Sequence, residues 1–327
     1  MQTNMEMNTT KGSTFVLQQD ALPFLIGVLI TLVNLLALFI LAQIKKMSLQ
    51  IKMLSMNLAV TDLLTGVAVL GDSCLSPILP ESLCRPLMYL YCLGVVVSFL
   101  NITGMLFDRF CALFFPFKYH NFLEKKTCLF IIASLWFCGC LLTVVNFHDG
   151  FRIYDIQDLQ VCASYIMVGK TGLAIVTFLF CIFMILNIVL YILMFMKMYK
   201  LSYSVHTADS LNRQRHFKSQ AKILINLSAI TGAFMVLYTP MIVMSMIDIF
   251  DKNPAMKKTI LMLQSRFGVL VLLNSFVNPF LFVWRFLECR YTFLLMVCYC
   301  NKTKREYYRD FKKTQCVSFL DVPMRSS

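Results

Sequence analysis

Residues 22–44 read LPFLIGVLITLVNLLALFILAQI, 23 positions without one charged side chain. About 20 mostly apolar residues are needed to carry a helix across roughly 30 Å of hydrocarbon, and this stretch meets that length on its own. Six more runs of the same kind follow, near Met53–Leu70, Leu87–Phe107, Cys128–Val145, Thr171–Met196, Ile223–Ile247 and Thr259–Phe286. They are too long, and too little alternating, for the strands of an outer-membrane barrel. Helices satisfy every backbone group internally, as hydrocarbon demands. Composition agrees: of 327 residues, 58% are hydrophobic and only 14% charged, against about a quarter charged in an ordinary soluble domain. The expected fold is an all-α membrane protein, a seven-transmembrane helix bundle.

The basic residues orient it. With the N-terminus outside, the inner segments hold Lys45, Lys46, Lys52, Arg109, Lys118, Lys125 and Lys126. Six more lie between Lys197 and Lys222, and nine between Arg285 and Arg325, giving 22 of the 30 basic residues on the inner side. The positive-inside rule then predicts N-out and C-in, in a multi-pass plasma-membrane protein. The net charge of +13 is therefore a juxtamembrane excess that faces anionic lipid, and it does not point to nucleic acid. The polar stretch Met1–Asp20 has no apolar core of a cleavable signal, so the first span is expected to serve as the signal. Asn8 begins a glycosylation sequon on the expected outer side, whereas the sequons at Asn101, Asn226 and Asn301 fall in spans or on the inner side.

Four regions result: an outer segment 1–21, the helix bundle 22–286, a short amphipathic eighth helix along the membrane at 287–300, and an inner tail 301–327. Cys298 and Cys300, beside Lys302, Lys304 and Arg305, are candidate palmitoylation sites at that junction. An enzyme is not expected. The four histidines (His120, His148, His206, His216) lie in loops or near span ends, so a membrane metalloenzyme finds no ligands. A transporter or channel is a rival class, but the internal repeats and matched Gly/Pro-broken helices common there are missing.

Polar residues inside the spans cost a few kcal/mol each and need a reason. The first span holds Asn34, and the second reads Asn57-Leu58-Ala59-Val60-Thr61-Asp62-Leu63. The third ends in Asp108-Arg109-Phe110, the fourth holds Trp136, and the sixth holds Phe234 and Pro240. The seventh reads Asn274-Ser275-Phe276-Val277-Asn278-Pro279-Phe280-Leu281-Phe282. In this order, one landmark to a span, the chain resembles the rhodopsin-like (class A) G-protein-coupled receptors from about Asn34 to Cys300.

The resemblance implies a receptor that binds an extracellular ligand and activates heterotrimeric G proteins when its sixth helix opens. The switch would be Asp108, Arg109 and Phe110 with Tyr191, Asn278, Pro279 and Phe282. It implies a disulfide between Cys84 and Cys162, and the sequence leaves Cys74 open as a competing partner. It implies no organic cofactor, but an allosteric sodium ion held by Asp62, Ser98, Asn274, Ser275 and Asn278. By position, Tyr91, Cys92, Val95, Tyr238, Met241, Ile242 and Gly268 would line the ligand cavity. Asp62, Thr65, Val69 and Asp72 are spaced for one helical face, which sets Asp72 at the cavity mouth. Tyr91 stands where amine receptors carry an aspartate, and Leu272 where opsins carry the retinal lysine. The roughly twenty residues before the first span are too few for a leucine-rich hormone-binding domain.

The chain departs from the family pattern in several places. Tyr238 replaces the usual tryptophan above Pro240, Phe183 replaces the usual proline of the fifth helix, and Phe282 replaces a tyrosine. Gln220 stands where an acid often tethers the arginine, with Lys222 close by, so a loosened off state with basal activity is expected. A non-signalling decoy receptor is the alternative reading, and the retained Asp62, Asp108, Arg109 and Asn278 argue against it.

Overall fold

The computed structural model describes residues 2–44, 47–75, 81–116, 119, 124–147, 170–206, 211–251, 253–285, 287–298 and 301–317. The helices are α1 (Gln2–Gln43), α2 (Leu49–Leu75), α3 (Glu81–Phe114), α4 (Lys125–Asn146) and α5 (Lys170–His206). There follow α6 (Leu211–Phe250), α7 (Pro254–Arg285), α8 (Leu287–Val297) and α9 (Lys302–Val317). Among the described residues there is no strand. Also among the described residues, six segments are long and apolar enough to cross a membrane: Leu22–Gln43, Leu49–Cys74, Pro86–Phe114, Lys125–Asn146, Lys170–Leu201 and Ile230–Phe250. Helix α7, 32 residues and so about 48 Å long at 1.5 Å per residue, completes the bundle.

Consecutive helices pack on one another from α1 to α4, and α7 closes the ring by packing on α1, α2 and α6. Helix α3 is the central post and touches α2, α4, α5 and α6. Such close approach needs small residues. A Cβ on Gly94 of α3 would stand 2.4 Å from Thr65 Oγ1 and 3.0 Å from the Thr61 carbonyl of α2. Without a hydrophobic drive between helices in lipid, this backbone-to-backbone fit is a main source of cohesion.

The polarity of the bundle is inverted relative to a soluble protein. Phe130, Phe137, Val144, Ile182, Ile185 and Val236 point outward with more than half their surface exposed. Asn34, Thr61, Asp62, Thr65, Ser98, Asn101, Asn187, Asn274, Ser275 and Asn278 are buried. In water the outer surface would aggregate; in hydrocarbon it is solvated, and the polar groups find partners only inside.

The apolar core lies between α3, α5 and α6 and is built of rings. Phe99 stacks on Phe180 with centroids 4.1 Å apart, meets Phe183 edge-on at 5.7 Å and Phe234 at 5.0 Å. Phe234 stacks in turn on Tyr238 at 4.1 Å. Pro240 interrupts the α6 hydrogen-bond ladder, and beside it Thr239 Oγ1 donates to the Met235 carbonyl at 2.6 Å.

Beyond the bundle, α8 begins where the eighth helix is expected and ends at Val297, with Cys289, Tyr291 and Thr292 buried. The tail then forms a second helix, α9. Asn301 caps it: its Oδ1 accepts the Lys304 N–H at 3.1 Å, and its carbonyl accepts the Arg305 N–H at 2.9 Å.

Candidate functional site: a buried polar hub and an arginine clasp

Two clusters on α3 stand out, eleven residues apart and so about 16 Å along the helix axis. The first centres on Asp62, which has no exposed surface. Ser98 Oγ of α3 and Ser275 Oγ of α7 donate to its Oδ1 at 3.1 and 2.8 Å, and Asn278 Nδ2 of α7 donates to Oδ2 at 2.8 Å. One carboxylate thus joins three helices, and four of the five expected sodium-holding residues meet there. The fifth, Asn274, is also fully buried, and neither of its amide atoms has a protein partner. The Oδ1 atoms of Asn278 and Asn34 are likewise without partners. Asn34 Nδ2 donates to the Ser275 carbonyl at 3.0 Å, so Asn34 ties α1 to α7. A carboxylate among spare amide and hydroxyl oxygens is the donor set of a hard cation such as sodium.

A satellite network braces the same region. Trp136 Nε1 of α4 donates to Asn57 Oδ1 at 2.9 Å, Asn57 Nδ2 donates to Asn101 Oδ1 at 3.0 Å, and Asn101 Nδ2 donates to the Leu54 carbonyl at 3.0 Å. Asn187 Nδ2 of α5 donates to Thr103 Oγ1 at 3.1 Å. The sequon at Asn101 is thus a buried structural amide. The spacing of Asn101 and Thr103 on one helix carried no sign of these partners.

The second cluster is the arginine clasp. Arg109 pairs with Asp108, Nε and one terminal nitrogen both donating to Oδ2; the Nε contact is 2.8 Å. The side chains are only 10% and 12% exposed. Tyr119 completes the clasp: its hydroxyl accepts from Arg109 at 2.8 Å and donates to Asp108 Oδ1 at 2.8 Å. Burial pushes the Tyr119 hydroxyl above the ordinary phenol range; the Arg109 charge opposes the shift and the Asp108 charge adds to it. The hydroxyl therefore keeps its proton and its donor role. Sequence reasoning missed Tyr119, which lies in the connection after α3 with no periodicity to mark it.

The remaining switch residues divide. Phe110 stacks on Phe114 at 4.4 Å and packs with Leu106, Leu190, Met194 and Met198 between α3 and α5. Tyr191 is half-buried on α5, and Pro279 is buried on α7. The side chains of Phe282, Gln220 and Lys222 lie outside the described residues.

The expected cavity residues do not form one group. Val95, Tyr238, Met241 and Ile242 belong to the ring-built core or pack against it. Tyr238 is 3% exposed and stacks on Phe234, so it is packed within that core. Tyr91 and Cys92 belong with Met88, Tyr89 and Phe147, and Tyr91 also touches the cluster of Ile26, Ile30, Val69 and Leu272. Asp72 is half-buried near the end of α2. A Cβ on Gly268 of α7 would meet nothing within 4 Å, which marks open space there.

Of the modification candidates, Cys298 is a half-buried free thiol and Cys74 an exposed one. Cys162, Cys300 and the side chains of Asn8 and Cys84 lie outside the described residues.

A ring of apolar-faced helices around a buried carboxylate hub, with an arginine clasped at one end, defines a helical membrane protein. Residues 33–282 match the family described as 7 transmembrane receptor (rhodopsin family), and the chain belongs to that family. It is a family of receptors, not enzymes. Human melanocortin receptor 3 is 24% identical over 217 residues, 64% of this chain and 60% of the relative. Mouse melanocortin receptor 5 is 22% identical over 65% of this chain and 60% of the relative. The human glucose-dependent insulinotropic receptor is 24% identical over 70% of this chain and 71% of the relative. The chain spans about 60% of the length of the melanocortin receptors it matches.

Proposed function

We propose that this multi-pass membrane receptor sits in the plasma membrane with its N-terminus outside, and that an extracellular ligand switches it to activate heterotrimeric G proteins. The observation that carries the reading is the Asp108–Arg109–Tyr119 clasp at the end of α3. An arginine held by one carboxylate and one phenol is a releasable latch. While clasped, its donors are spent inside the protein; when α6 opens the inner cavity and the clasp itself releases, they become available to a partner docking at the inner face. The ligand acts by binding the on state better than the off state, and shifts the equilibrium only by that preference.

The hub supplies the second control. Sodium would be held by the Asp62 carboxylate and the oxygens of Ser98, Asn274, Ser275 and Asn278, neutralising the buried charge and favouring the arrangement in which α2, α3 and α7 stay together. The Asp62 carboxylate itself orients both serine hydroxyls and the Asn278 amide, so any rotation of α7 breaks bonds at this one group.

On the ligand side, the expected residues fall in two apolar groups, Val95, Met241 and Ile242 with Tyr238 in one and Tyr91 and Cys92 in the other, and a ligand would enter between them, with Gly268 leaving space on α7 and Asp72 at the mouth. That chemistry suits a small organic molecule, a lipid or a short peptide. It lacks the third-helix aspartate of amine receptors and the lysine that would bind retinal. The Cys84–Cys162 disulfide, glycan at Asn8, and palmitate at Cys298 and Cys300 belong to the same reading.

The test is ligand-free G-protein dissociation in cells, comparing wild type with Arg109→Ala at matched surface levels across the G-protein classes. Basal dissociation above vector that Arg109→Ala changes supports coupling. Silence with every class, and with ligand pools applied, overturns it in favour of a decoy receptor.

A further inference from the structure

Helix α9 extends the chain beyond the bundle and α8, and its sequence KTKREYYRDFKKTQCV carries six cations against two anions. Their placement on the helix is ordered. Around Tyr308 at steps of three and four residues stand Lys304, Arg305, Phe311 and Lys312: three cations, one ring and no acid. The acids Glu306 and Asp310 are one turn apart on the opposite face. Tyr307 sets its ring 5.4 Å from that of Tyr308, edge-on. Arg305 and Tyr308 are half-buried, while Lys302, Lys304, Glu306, Arg309 and Asp310 are exposed.

The local electrostatics of α9 are unfavourable in isolation. Its first turn contains Lys302, Lys304 and Arg305 and no acid, against the positive end of the helix dipole. Negative charge from elsewhere would relieve this. Helix α9 packs against α8, which in turn packs against α1 and α7, so α9 is held close to the bundle that spans the membrane. Tyr and Phe at a headgroup boundary, flanked by Lys and Arg that reach phosphates, is the pattern of an interfacial helix.

We propose that α9 is a docking surface for the anionic inner leaflet: its Tyr308-centred face lies on phosphate-bearing headgroups, and Glu306 and Asp310 face water. This inference rests on the proposed orientation, with the C-terminus on the inner side, and not on G-protein coupling, because it concerns lipid and not the switch.

The experiment is hydrogen exchange of the full-length receptor in nanodiscs, followed by mass spectrometry over residues 302–317. One bilayer is phosphatidylcholine alone; the others add phosphatidylserine or a polyphosphoinositide. Slowing of exchange by about tenfold or more in the anionic bilayers is expected, because each juxtamembrane cation adds to the attraction. Raising salt to 1 M, where the Debye length shrinks to about 3 Å, should remove most of it. Lys304→Gln/Arg305→Gln/Lys312→Gln should abolish the slowing, while Glu306→Gln/Asp310→Asn should keep or increase it, with exchange across α3 unchanged in both. Equal exchange in neutral and anionic bilayers overturns the proposal. So does protection reproduced over a neutral bilayer by soluble inositol hexakisphosphate, which would assign the site to a free phosphate ligand.

Discussion

The Tyr119 hydroxyl donates to Asp108 Oδ1 at 2.8 Å while accepting from Arg109 at the same distance. The clasp is therefore a triangle, and the segment after α3 is bound to the end of α3 through it. This supplies a partner for Arg109 that does not depend on the α6 position occupied by Gln220, where the family pattern often has an acid.

Tyr119→Phe removes one corner and leaves the Asp108–Arg109 pair. A hydrogen bond to a charged group contributes about 1.5–3 kcal/mol, and about 1.4 kcal/mol is tenfold in an equilibrium. Ligand-free G-protein dissociation is expected to rise by about tenfold or more at matched surface level, with Asp108→Asn rising further. A Tyr119→Phe receptor with unchanged basal signal would show that the bond does not favour the off state.

Asp62→Asn should remove the response to sodium. A cation that binds only the folded receptor raises stability by about 1.4 kcal/mol when its concentration is tenfold above Kd. Thermal unfolding of the detergent-solubilised wild type should shift upward by about a few degrees in sodium chloride relative to choline chloride. The Asp62→Asn protein, with no carboxylate to attract the ion, should unfold at the same temperature in both salts. A sodium shift retained in Asp62→Asn places the ion elsewhere.

Much of this was legible in the sequence because hydrocarbon is an unforgiving solvent. Each span had to be long and apolar, so Leu22–Ile44 announced itself, and each buried polar residue stood out against that background. Asp62, Ser98, Ser275 and Asn278 could be grouped by resemblance, and they meet at one carboxylate. Tyr119 could not be foreseen, because its position depends on how the connection after α3 folds back, and no periodicity encodes that. Asn101 read as a sequon, since its pairing with Asn57 depends on the α2–α3 crossing. Tyr238 was assigned to the cavity lining by register, and its stacking on Phe234 could not be read from that register. Helix α9 was hidden in a charged tail, where cations at helical spacing resemble a disordered basic segment until the Asn301 cap is seen.

Trp136→Phe tests the satellite network. It keeps a ring at the α4 surface and deletes the Nε1 donor to Asn57 Oδ1. Asn57 continues to donate to Asn101, so only one acceptor is left unmet. Interhelical hydrogen bonds in membranes average about 0.6 kcal/mol and reach about 1.7. The expected result is a fall of about a few degrees in the unfolding temperature with the sodium shift intact. Loss of that shift in Trp136→Phe would mean that the network and the hub are one cooperative unit.

Gly94→Ala asks whether the α2–α3 fit is as tight as the geometry states. The new methyl would stand 2.4 Å from Thr65 Oγ1 and 3.0 Å from the Thr61 carbonyl, and the second atom belongs to backbone. Thr65 cannot simply turn away without cost, because its hydroxyl donates to that same Thr61 carbonyl at 3.1 Å. The helices must separate, and Asp62 lies one residue from Thr61 on the moving element. Overpacking of this kind costs about 1–3 kcal/mol. Gly94→Ala should therefore lower both the unfolding temperature and surface expression, and weaken the sodium shift, since Ser98 rides on α3 four residues further on. Gly232 on α6 is the control: a Cβ there would meet nothing within 4 Å, so Gly232→Ala should be neutral or slightly stabilising through its helix propensity. Equal behaviour of the two variants in a thermal-unfolding assay would show that α2 and α3 are not in contact at Gly94.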